Sequence, residues 1–102
     1  MNDSIQKQLI AIKNALHTDV FPTLEELDAL FGELEMIKME IEQHLSSMPQ
    51  DSAWNATRTA AEQAVQQLSE ILLAMEELEG ASPESRNLTV DEISALIGGI
   101  YY

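Results

Sequence analysis

The stretch Thr23–Met48, TLEELDALFGELEMIKMEIEQHLSSM, decides the fold class. Leu27, Leu30, Leu34, Ile37, Ile41, His44 and Met48 recur at intervals of 3, 4, 3, 4, 3 and 4 residues. An α-helix turns once every 3.6 residues, so this spacing aligns all seven on one side, as in a coiled-coil seam. Leu24, Phe31 and Leu45 form a neighbouring row that widens the stripe beyond a two-helix seam. Thr23 followed three residues later by Glu26 makes a capping box, and Pro22 before it suits a helix boundary. The pattern predicts a helix over residues 23–47.

The next segment repeats it. Trp54, Thr57, Ala61, Ala64, Leu68, Ile71, Met75 and Leu78 keep the same alternation of threes and fours. Asp51 or Ser52 suits the start, and Gly80 suits a left-handed position past the end. A second long helix is predicted over 52–79. The connection between them is short and holds Pro49, which predicts an antiparallel hairpin.

Working outward, Ile5, Leu9, Ile12 and Leu16 predict a helix over 4–17, with His17–Phe21 as the link to the next. Residues 1–80 therefore read as one helical-bundle domain. Residues 81–87, with Ser82, Pro83 and Ser85, read as a linker. Thr89 and Glu92 form a second capping box, so residues 88–102 read as a short helix near 90–97, stopped by Gly98-Gly99, plus a tail. The fold class expected is all-α. At about 1.5 Å per residue the first helix is only half as long as the hairpin. That mismatch leaves apolar surface uncovered in a monomer and predicts a homodimeric bundle. Its oligomer core would be Leu27, Leu30, Leu34, Ile37, Ile41, Leu68, Ile71, Met75 and Leu78.

Composition sorts the functions. The chain has 102 residues, 45% of them apolar, which suits one folded domain despite a formal charge of −13. The charge is concentrated centrally: residues 21–50 carry seven acids against Lys38, and residues 51–79 carry six against Arg58. Five scattered bases cannot neutralise a phosphate backbone or an anionic lipid surface, so neither direct nucleic-acid binding nor membrane binding is expected. A protein partner with a basic surface is favoured instead. Zero cysteines remove disulfide, thiolate-metal and thiol-nucleophile chemistry. The start, MNDSIQKQLIAIK, lacks a secretory pattern, which leads to the expectation of a cytoplasmic protein.

The search for reaction chemistry yields no catalytic, metal or cofactor set. Glu40 and His44 share a helix face at i, i+4, but no further ligands accompany them, and His44 reads as a polar residue fixing the seam's register. Glu25-Glu26 and Glu76-Glu77 lack the basic residues that a phosphate substrate needs. The expectation is a non-enzymatic protein.

One pattern stands out. Glu26, Glu33 and Glu40 are seven apart, and so are Asp28, Glu35 and Glu42, giving two acid rows along one helix. Their mean axial spacing of about 5 Å is within a factor of two of DNA phosphate spacing. These six, with the apolar terminal residues Ile93, Leu96 and Ile97, are the candidate partner-binding residues. The function expected is an acidic interaction module that regulates or inhibits a partner protein. In size and acidity the chain is similar to small phage-encoded inhibitors, including anti-CRISPR proteins. That likeness implies a DNA mimic blocking a nucleic-acid-binding complex. A secretion or phage assembly subunit, or a chaperone, is the other alternative.

Overall fold

A computed structural model describes residues 3–17 and 22–101 of the chain. Residues 18–21 of the expected His17–Phe21 link, and Tyr102, lie outside the described residues. Four helices are present: α1 (Asp3–Leu16), α2 (Leu24–Ser47), α3 (Asn55–Glu79) and α4 (Pro83–Gly98), with a 3-10 turn at Ser52–Trp54 ahead of α3. There is no strand among the described residues.

Local chemistry sets the boundaries. Thr23 has extended backbone, and its hydroxyl accepts the Glu26 N–H at 3.2 Å, so the first capping motif works as one. Asp51 accepts the Ala53 N–H at 3.2 Å and opens the 3-10 turn, which moves the α-helical start from the expected 52 to Asn55. At the far end of α3, Gly80 has φ −98°, not a left-handed value. Its N–H bonds to the Glu77 carbonyl, and that of Ala81 to Leu78, so the last turn tightens without αL geometry.

The largest correction concerns residues 81–87. They are not a linker: α4 begins at Pro83 and runs for 16 residues. Ser82 sits at the N-cap with ψ 158°, and the N–H groups of Ser85 and Arg86 bond to its carbonyl. Pro83 occupies the first turn, where its missing N–H costs nothing, and Glu84 complements the helix dipole there. The second capping motif consequently lies inside the helix. Thr89 donates its hydroxyl back to the Ser85 carbonyl at 3.2 Å instead of capping anything.

α2 packs along α3, α3 along α4, and α1 against both α4 and α2. Asp28, near the start of α2, and Glu79, at the end of α3, influence each other across the two helices. Gln67 of α3 donates to the Leu96 carbonyl of α4, and Gln6 of α1 to the Ile100 carbonyl. The core contains no buried polar or charged residue among those described. Ile5, Leu34, Ile41, Ala61, Leu68, Ile71, Met75 and Ile93 are fully excluded from solvent. Each buried Leu or Ile stabilises the fold by roughly 1.5–3 kcal/mol.

The residues read as an oligomer core are buried within one chain, apart from half-buried Leu30. The extra turns of α4 explain this, because α1 and α4 together cover what α1 alone could not. Burial on α2 runs from Leu27 to Ile41 and on α3 from Ala61 to Leu78. These spans are about 21 and 26 Å, close to the lengths of α1 and α4 at about 1.5 Å per residue. The long helices continue past that covered zone, in a molecule measuring 48 × 20 × 20 Å.

Candidate functional site

Two surfaces emerge, one acidic and one apolar. On α2 the carboxylates of Glu26, Glu33, Glu40, Asp28, Glu35 and Glu42 are all exposed, while Leu27, Leu34, Ile37 and Ile41 of the same helix turn into the core. At about 100° per residue the two acid rows lie about 160° apart around the outer side of the helix. Met36 and Met39 lie between them, 71% and 59% exposed. The rows thus flank the buried stripe on opposite sides. Glu33 and Met36 border α1, where they share a cleft with Gln8 and Ala11.

Asp28 differs from the other five. Asp28 faces Glu79 across the α2–α3 boundary, where a hydrogen bond between the two carboxyls needs one of them protonated, and this holds the Glu79 carboxyl above its ordinary value. Desolvation and repulsion from Asp28 and Glu76 act in the same direction. Asp28 is therefore engaged with a neighbouring helix.

Ile93, Leu96 and Ile97 do not form a surface offered to a partner. Ile93 and Ile97 are buried in the chain's own core, and Leu96 packs half-buried against it. α4 starts early enough to lie along α3, so these side chains have neighbours already. A partner would have to lift α4 away to reach them.

The second surface went unselected in the sequence. Where α2 and α3 approach their connecting turn, His44, Ser47, Met48, Pro49, Trp54 and Thr57 line an apolar groove of about 250 Å³. Trp54, the chain's sole tryptophan, is 41% exposed there. His44, expected to be a seam residue, is instead half-exposed on the groove wall. The Arg58 guanidinium donates to the Pro49 carbonyl and, at 3.1 Å, to Asn55 Oδ1, which pins the turn to α3.

The signal for the groove was present as spacing. His44 lies one heptad past Ile37, Met48 one past Ile41, Trp54 one before Ala61, and Thr57 one before Ala64. The groove is thus the continuation of rows that are buried farther along the bundle. Finding it required knowing where α1 and α4 stop.

Among the described residues, no group of three or more His, Asp or Glu side chains is placed to hold a metal ion. No helix among them is long and apolar enough to cross a membrane. Comparison of the chain with protein-family models, curated proteins and solved structures gives no match.

Proposed function

We propose that this chain is a non-enzymatic, acidic interaction module that regulates or inhibits a partner protein bearing a basic surface. One observation carries the reading: α2 spends its apolar stripe on the chain's own core and leaves its carboxylate rows exposed along about 24 Å of helix. A net charge of −13 then steers a basic partner toward those rows, and the interaction weakens as salt shortens the screening length.

The test is affinity capture at low salt with the natural chain and with a Glu33→Lys, Glu35→Lys, Glu40→Lys variant. A protein retained by the natural chain, released by added salt and lost from the variant supports the reading. The variant should keep its helicity, because exposed substitutions rarely cost more than about 0.5 kcal/mol each. An identical set of proteins retained by both would reduce the rows to a solvated face.

A further inference from the structure

Among the described residues, the turn end of the α2–α3 pair has a floor without a cover. In the covered half, the heptad rows through Ile37, Ile41, Ala61 and Ala64 are buried beneath the packed helices. The same rows continue through His44, Met48, Trp54 and Thr57, and there they line an open groove among the described residues. A groove made by two antiparallel helices and following their heptad rows has the shape that a further helix fills.

Charge selects between possible occupants. The segment 40–62 carries Glu40, Glu42, Asp51 and Glu62 against one base, Arg58. Arg58 keeps its charge while donating to Pro49 and Asn55, and the segment as a whole stays negative. A second copy of this chain would bring another −13, which opposes its approach. A helix with an apolar ridge and Lys or Arg beside it meets both the apolar floor and the negative charge around it.

We infer that the groove at the α2–α3 turn docks a basic amphipathic helix of a partner protein, with its apolar ridge against Met48, Trp54 and Thr57. This inference rests on the reading above and names the partner segment. Its failure is distinguishable, since the charge-reversal capture interrogates the α2 rows and the experiment below interrogates the groove.

Trp54 supplies the readout. The probe is a synthetic 18-residue peptide of Leu and Lys with Leu at helical face positions. Its control has the same composition in an order that forms no apolar face. Titration of the full chain with the patterned peptide should shift Trp54 emission to the blue and saturate. The control peptide should bind about tenfold more weakly, a difference of about 1.4 kcal/mol. A Met48→Gln, Thr57→Gln double variant should lose a similar factor toward the patterned peptide while its melting temperature stays near that of the natural chain.

Equal shifts from both peptides would show charge attraction alone and overturn the inference. So would the absence of any shift, or undiminished binding by the double variant. Sedimentation is the independent check: a dimer whose Trp54 emission is already blue without peptide would show that a second copy occupies the groove.

Discussion

Gln6 donates a side-chain N–H to the carbonyl oxygen of Ile100 at 2.9 Å, joining positions 94 residues apart in the sequence. Ile5 and Ile100 are both buried beside this bond, so the first helix and the residue just past the last one are parts of the same core. His17 and Ser94 meet through their side chains at the other end of α1. α4 is therefore structural, and its apolar face is consumed within the chain.

Ile93→Ala should destabilise the fold by about 2–5 kcal/mol, because it opens a cavity in a site with no solvent access. Tyr101→Ala, at a position 71% exposed, should change stability by less than about 0.5 kcal/mol. Urea unfolding followed by circular dichroism checks both. Equal, negligible effects would mean that α4 does not belong to the folded core.

Two motifs that look alike in the sequence should respond differently to the same change. Thr23→Ala removes the acceptor for the Glu26 N–H and should cost about 1 kcal/mol. Thr89→Ala removes only a hydroxyl bonded to the carbonyl four residues back, inside a helix, and should be neutral or slightly stabilising. Thermal melts of the two variants decide it, and a larger loss from Thr89→Ala would contradict the assigned start of α4.

The Asp28–Glu79 contact makes stability depend on pH in a defined direction. Glu79 has its folded value raised above 4.5, so its contribution is fully present below that pH and is lost as pH rises through the folded value. The melting temperature should accordingly rise as pH is lowered from neutral toward 4.5, with relief of overall self-repulsion adding to the trend. Glu79→Gln should be more stable than the natural chain at pH 7, and the gap should close as pH falls. A gap that does not change with pH would remove the contact as its cause.

The long helices were legible because their period, the Thr23 cap and the Pro49 break agree with one another. α4 was only partly legible. Ser82, Pro83 and Ser85 serve equally in a loop and in a helical first turn, and only packing against α3 shows which applies. The expectation of a second copy followed from setting the short first helix alone against the long hairpin, with no account of how far α4 reaches. A helix of eight residues leaves the hairpin bare, whereas one of 16 covers much of it. The acid rows were legible as spacing, but not the engagement of Asp28 by Glu79, which brings together residues 51 positions apart. The groove was hidden for a related reason. Met48 and Trp54 occupy the same heptad rows as buried Ile41 and Ala61, and only the reach of α1 and α4 separates them.

Native-state hydrogen exchange at low micromolar concentration tests the central claim, a core closed by α4 within one chain and a tip that no other described residue covers. Amides of Val90–Ile97 should be protected with those of Leu34–Ile41 and Leu68–Met75, and should open together with them. Amides near Leu45–Met48 and Asn55–Ala60 should exchange faster, through local opening of the two-helix end. Exchange of Val90–Ile97 at unfolded-chain rates, with the tip protected, would contradict the account.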